Sequence, residues 1–201
     1  VQRSVYEEVS RRVVAFARTA RLGNPMAMET QVGPITTLPQ RDKVLGYIDI
    51  ARAEGATCLL GGQRPSDPTL ARGWFVEPTI FGDVNNTMRI AREEVFGPVL
   101  SMIPFEDEDH AVEIANDTIY GLASGVWTSS IRRAFSMADR IRAGTVWVNT
   151  YRAVSFMAPF GGYKHSGIGR ESGQGAVDEY LQTKCVWINL SEGSPNPFII
   201  R

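Results

Sequence analysis

Two hundred and one residues, 43% hydrophobic and 21% charged, are ordinary globular material with enough apolar mass for a real core. The formal net charge is −1, and the 18 arginines that outnumber 3 lysines are scattered among acids, so no basic footprint for nucleic acid emerges. Two distant cysteines, Cys58 and Cys185, and two histidines, His110 and His165, argue against a disulfide framework and supply a metal centre poorly, so no metal site is expected.

Val1-Gln2-Arg3-Ser4 reads as the end of a strand entering a helix, an abrupt start that implies a preceding segment. Ser4-Val5-Tyr6-Glu7 has the form of a capping box, and Val9, Val13 and Phe16 share a stripe, which predicts a helix to about Arg21. Residues 24–36 read as loop. A second helix is predicted from Pro39, whose missing donor costs nothing in a first turn, with Val44, Tyr47, Ile48 and Ala51 on its buried face and Gly55 as its stop. Thr57–Leu60 is a short apolar strand, and Trp74–Phe81 is extended around Pro78. Val99–Phe105, Ser124–Trp127 and Thr145–Asn149 read as strands, separated by helices over Asp107–Asn116 and Ser130–Arg142. That alternation predicts an α/β fold with a mostly parallel sheet flanked by helices. Periodicity then disappears, and glycine is dense from 161 to 175. Lys184–Leu190, alternating Val186, Ile188 and Leu190, is one more strand, suited to pairing with another subunit. The expected division is 1–165 as a catalytic-domain portion, 166–181 as an irregular connection, and 182–201 as an oligomerisation strand and tail. No signal peptide and no bilayer-length apolar run is visible, so the default reading is cytoplasmic, without a membrane.

Two segments carry chemistry. In Arg92-Glu93-Glu94-Val95-Phe96-Gly97-Pro98-Val99, adjacent acids run into an aromatic, a glycine turn and a strand. A carboxylate there can accept from ribose hydroxyls and a Phe can pack on a flat ring, although a polar loop with one core Phe has the same composition. The second is Ala158-Pro159-Phe160-Gly161-Gly162-Tyr163-Lys164-His165-Ser166-Gly167-Ile168-Gly169-Arg170-Glu171, which fits neither a dinucleotide fingerprint nor a P-loop. It reads as an ordered, irregular pocket wall or a plain connection.

Glu94-Val95-Phe96-Gly97-Pro98 is similar to the cofactor-loop motif of the aldehyde dehydrogenase superfamily, and Pro159–Lys164 with Ser166–Glu171 resembles its C-terminal signature. Gly144–Asn149 resembles the strand leading into that signature, and Val1–Ser4 with Tyr6 the stretch just after the family's catalytic cysteine. The resemblance runs from Val1 to about Leu190 and implies the C-terminal part of an NAD- or NADP-dependent enzyme that oxidises a small aldehyde to an acid. It implies that Glu94 holds the nicotinamide-side ribose with Phe96 beside it, and that Gln40 and Lys43 approach the adenosine-side ribose. Asn149, Phe160 and Val154 would line the substrate site, and Glu171 would be a buried acid relaying protons. Arg152 would lie near the tunnel entrance and favour acidic or polar aldehydes. The nucleophilic cysteine and general base would lie upstream, so the 201 residues alone are expected to be inactive, with no tight cofactor binding, and to associate as a homo-oligomer. The alternative is a non-catalytic assembly or regulatory module joining full-length subunits.

Overall fold

A computed structural model describes residues 1–190, 192, 193 and 198. A 3-10 turn, Arg3–Val5, leads into helix α1, Tyr6–Ala17. The expected Ser4–Glu7 box does not form: Val5 takes the N-cap and no side chain caps it. Ser4 is wound into the preceding turn, one residue too early to serve the helix's free amides. Glu7 and Glu8 compensate, facing the positive end of the helix dipole. The helix stops at Ala17, short of Arg21, where the Thr19 hydroxyl donates to the Phe16 carbonyl at 2.7 Å.

Helix α2, Leu38–Ala53, matches its expectation: Thr37 accepts from the Gln40 amide at 3.3 Å, Pro39 sits in the first turn, and Gly55 at φ +94° follows the end. Val44, Ile48 and Ala51 are fully buried on its inner stripe. Strand β1, Thr57–Leu60, pairs antiparallel with β2, Thr79–Gly82, which pairs parallel with β3, Val99–Ser101. All four residues of the central strand β2 are buried, and Phe81 joins Val44, Ile48 and Val84 in the first core. Burying each such aliphatic or aromatic side chain contributes about 2 kcal/mol. A one-turn helix, α3, Arg89–Arg92, separates β2 from β3 in sequence.

Helix α4, Glu108–Asn116, is capped by Asp107, whose carboxylate accepts from the His110 amide at 2.9 Å. Strands β4, Ala123–Val126, and β5, Thr145–Val148, pair in parallel with helix α5, Ile131–Arg140, between them, a βαβ unit. Val112, Met137 and Ile141 form a second core beneath Val126 and Val146. The fold is therefore α/β, as the helix–strand alternation implied, but the strands of 99–149 do not share one sheet. β3 gives its ladder to β2 and β4 gives its ladder to β5, each pair over its own core.

Residues 184–190, expected as a strand, join neither sheet. A strand is stable only against a partner, and no ladder among the described residues reaches it; Trp187 is 91% exposed and Val186, Ile188 and Leu190 are exposed as well. Of the expected tail, residues 191, 194–197 and 199–201 lie outside the described residues. Among the described residues, no helix is long and apolar enough to cross a membrane, and no cluster of three His, Cys, Asp or Glu is arranged to hold a metal.

Candidate active site

The segment Glu93–Pro98 leaves α3 and is fastened to α2. Gln40 donates its amide to the carbonyls of Val95 at 2.9 Å and Phe96 at 3.1 Å. Gly97 is pressed against α2 so tightly that a Cβ there would stand 2.6 Å from Val44 Cγ2. Between those ties Phe96 is held at φ +50°, a left-handed conformation that costs a non-glycine residue about 1–2 kcal/mol. The residue is 75% exposed.

The two adjacent acids are used differently. Glu93 accepts from Tyr47 Oη at 2.6 Å and from Arg89 through both Nε at 2.8 Å and Nη2 at 2.9 Å, a two-pronged guanidinium contact. Those bonds, from Arg89 first and Tyr47 second, hold the Glu93 carboxyl down to about 2, while the same carboxylate pushes the Tyr47 phenol upward. Glu94 is exposed and enters no hydrogen bond or ion pair among the described residues. Lys43 is exposed too, its ammonium 5.7 Å from the centre of the Tyr47 ring.

The signature segment is held mainly by backbone. Gly144 lies so close to the loop that a Cβ there would be 1.7 Å from the Gly161 carbonyl oxygen. Phe160 and Glu171 form an antiparallel bridge, amide to carbonyl at 2.8 and 2.7 Å. Tyr163 N donates to Gly121 O at 2.8 Å, and Ser166 Oγ accepts from Gly121 N at 3.1 Å. Arg170 donates to the carbonyls of Gly162, Ile168 and Gly169 and lies 5.6 Å over the Tyr163 ring. Asn149, at φ +54°, exchanges two bonds of 2.8 Å with the Thr128 backbone, so its amide ties the exit of β5 to that of β4. Phe160 is half-buried and Val154 is 76% exposed. Glu171 is exposed, not the buried acid the resemblance implied. Its backbone is fixed by Phe160, but no neighbouring element covers its carboxylate. Arg152, at φ +57°, is exposed and forms no ion pair among the described residues.

No hydrogen bond runs directly between the two segments among the described residues. They meet on the C-terminal turn of α4 instead. Arg92, two residues before Glu94, donates to the Asp117 carboxylate at 3.1 Å, and Asn86 donates to Ile114 O at 2.9 Å. From the other side Lys164 Nζ donates to Asn116 O at 2.9 Å and Thr118 O at 3.0 Å. An ammonium on the carbonyls at and just beyond a helix end meets the negative end of the dipole. The Asn116 side chain closes the joint, donating to Arg140 O at 2.9 Å and accepting from Arg142 N at 2.7 Å. An open hollow of about 730 Å³ between α1 and the β1–β2 edge, lined by Arg3, Tyr6, Ser10 and Arg18, includes neither segment.

The order Glu94–Pro98, Gly144–Asn149, Pro159–Glu171 on this scaffold agrees with a family-level match: the model of the aldehyde dehydrogenase family matches residues 1–186. The chain belongs to the aldehyde dehydrogenase family. It is 46% identical over 192 residues to a betaine aldehyde dehydrogenase of Brucella melitensis, covering 96% of this chain and 39% of that protein. A crystal structure of betaine aldehyde dehydrogenase from Staphylococcus aureus in complex with NAD+ superposes with a TM-score of 0.94 at 40% identity, over 98% of this chain and 39% of that one. A second structure from that organism, an apo variant, gives 0.89 at 42% identity, over 92% of this chain and 37% of that one. The chain thus spans well under half the length of the relatives it matches.

Within this aldehyde dehydrogenase family chain, Tyr47, Arg89, Glu93, Asn116 and Asp117 were not among the expected site residues, Tyr47 being expected on the buried face of α2 and Glu93 only as the acid beside Glu94. The signal for some of them was present: Arg89 and Glu93 are four apart, as are Lys43 and Tyr47, the spacing that brings side chains together on a helix. For Asn116 and Asp117 nothing local to the sequence distinguishes a hub from an ordinary helix end.

Proposed function

We propose that these residues form the C-terminal part of an NAD-dependent aldehyde dehydrogenase, oxidising an aldehyde to a carboxylic acid through a thioester on a cysteine outside this stretch. The observation that carries the reading is Glu94: a carboxylate with no partner among the described residues, on a loop held in place from both sides, next to an exposed aromatic residue. The residues present fit a dinucleotide. Glu94 can accept from the nicotinamide-side ribose hydroxyls, Phe96 is an exposed aromatic, and Lys43 offers an exposed ammonium toward the adenosine-side ribose. Bound NAD would supply the hydride acceptor of the oxidation. Gln40 serves the same site indirectly, its amide being given to the loop carbonyls.

Asn149, Phe160 and Val154 are assigned to the substrate side, Asn149 holding the β4 and β5 exits in register and Phe160 and Val154 supplying apolar surface. Glu171 is assigned to proton relay, its backbone fixed by Phe160 and its carboxylate uncommitted. Neither cysteine suits the nucleophile. The Cys58 sulfur is engaged by the carbonyls of Leu60 and Gly61, at 3.5 and 3.7 Å, and by Arg52 Nη2 at 4.0 Å, and Cys185 belongs to the exposed terminal segment. On this reading the chain alone does not turn over an aldehyde. The relatives' names make betaine aldehyde the first substrate to test, with an acidic aldehyde beside it because of Arg152. Residues 184–190 are the edge strand through which copies associate, their alternating apolar side chains being exposed without a ladder. That same exposure supports a second reading, a non-catalytic module recruited by full-length subunits.

NADH formation by the native-length protein separates the two. Turnover in which Glu94→Gln raises KM for NAD at least about tenfold, the size expected when a charge-assisted bond is lost, supports the enzyme. Native-length protein with no turnover that co-purifies with a full-length homologue supports the module.

A further inference from the structure

Between Asn149 and Val154, both assigned to the substrate side, the chain makes a small closed turn. Trp147 Nε1 donates to the Ala153 carbonyl at 2.8 Å, and the Trp147 ring meets Tyr151 edge-on with centroids 5.6 Å apart. Asn149 at φ +54° and Arg152 at φ +57° supply the left-handed steps. Left-handed residues other than glycine are strained and persist only where their surroundings dictate them. Here the Thr128 backbone fixes Asn149, and the indole fixes the residue after Arg152. The turn is exposed yet held. Arg152 stands on it with no hydrogen bond or ion pair among the described residues. The charge along this stretch is one-sided: from Arg140 to Arg170 the sequence contains no aspartate or glutamate. Among the other cations there, Arg140 is paired with Asp109, while Lys164 and Arg170 are engaged by backbone carbonyls. A guanidinium is a planar fork of donors that grips a carboxylate at two points, and its charge repels a quaternary ammonium.

We infer that Arg152 is a specificity-determining residue that takes the distal carboxylate of an anionic aldehyde, with Trp147 as the positioning residue that presents it. The substrate class is then an aldehyde with a carboxylate at its far end, not the cationic aldehyde that gives the matched relatives their names. The inference rests on the substrate-side reading of Asn149, Val154 and Phe160 proposed above. The recognised group and the reacting group lie at opposite ends of such a molecule. A change at Arg152 therefore shifts the choice among aldehydes and not the chemistry at the aldehyde carbon.

The test is NADH formation by the native-length protein with aldehydes of similar size and different charge: succinic semialdehyde, an anion; butanal, neutral; and betaine aldehyde, a quaternary ammonium. Wild type is expected to favour them in that order. Its kcat/KM for succinic semialdehyde should exceed that for butanal at least about tenfold, the size of a two-pronged charge-assisted contact. Arg152→Met is expected to lower that ratio about tenfold, and Arg152→Lys to restore part of it, since the charge returns without the fork. Trp147→Phe keeps an aromatic ring and removes the Nε1 donor. It is expected to lower the same ratio about threefold, through KM for succinic semialdehyde and not kcat. A tryptophan with a merely structural role would move kcat/KM for all the aldehydes together, and that outcome removes Trp147 from the proposal. An unchanged ratio in Arg152→Met, or betaine aldehyde as the best substrate of wild type, overturns the inference and leaves the enzyme reading intact. Absence of turnover with every one of the aldehydes overturns the enzyme reading itself, and the inference falls with it.

Discussion

Residues 89–98 are fastened to the body of the molecule by side chains, whereas residues 144–171 are fastened largely by backbone. In the first region Gln40, Tyr47 and Arg89 reach across to the loop, and a side-chain edit can cut each tie singly. In the second, amide-to-carbonyl bonds and close glycine contacts at Gly144, Gly161 and Gly162 supply most of the ties, with side-chain bonds from Asn149, Lys164, Ser166 and Arg170 added to them. The lesson is that one chain can fasten one segment tunably and another rigidly. The tunable wall carries the uncommitted Glu94; the rigid wall carries the chain across from β5 to the exposed terminal segment.

The sharpest way to break this contrast is a single methyl group placed in each wall. At Gly144 a Cβ would meet a carbonyl oxygen at 1.7 Å, and a backbone held by its own bridge cannot retreat. Gly144→Ala is expected to destabilise by at least about 3 kcal/mol in urea unfolding, the upper range for overpacking. At Gly97 the methyl would meet Val44 Cγ2 at 2.6 Å, a side chain that can be shortened. Gly97→Ala is expected to cost about 1–2 kcal/mol, and Val44→Ala in the same molecule to recover part of it, so the pair is non-additive. Equal losses at the two glycines, or no coupling to Val44, would show that the walls do not differ as described.

How much of this was legible in the sequence follows from the same contrast. Local signals held wherever one element decides its own fate: Thr37 and Pro39 at the start of α2, Asp107 and Ser130 at the starts of α4 and α5, and the β4–α5–β5 unit. They failed where a neighbour decided. Ser4 had the right residue type but was drawn into a 3-10 turn, while Arg3 N donates to Phe105 O at 2.8 Å and the chain's amino terminus to Ile103 O at 2.8 Å. The strands of 99–149 had the right period but separate partners. Glu94 and Glu93 looked alike in sequence and differ because only Glu93 has Tyr47 and Arg89, from 46 and 4 residues away, at its oxygens.

An intermediate effect is expected at the joint between the walls. Lys164 is half-buried, and its ammonium serves the carbonyls of Asn116 and Thr118. Lys164→Met keeps the length of the stem, leaves the Thr118 carbonyl unserved and leaves the Asn116 carbonyl with the Thr118 amide alone, a cost of about 1–3 kcal/mol. Lys164→Ala is expected to cost more, because the apolar stem is lost as well. Thermal unfolding of the two variants measures this, and identical midpoints for Met and wild type would remove Lys164 from the joint.

The smallest effect, and the one that distinguishes charge from shape, is the pH dependence of Glu93→Gln. The folded-state carboxyl is held down to about 2, below its ordinary value, so its contribution is fully present above the ordinary glutamate range and is lost as pH falls toward the folded value. Wild type and Glu93→Gln should therefore differ by a constant offset in unfolding midpoint from about pH 6 to 8 and converge on acidification below about pH 4.5. The offset is small because the Arg89–Glu93 pair is partly open to solvent, with side chains 51% and 40% exposed, and water and salt screen it. Convergence on acidification would mean that the negative charge holds the loop. An offset independent of pH would mean that Tyr47 and Arg89 need only an acceptor of the right shape, and the side-chain wall would then be as geometric as the backbone one.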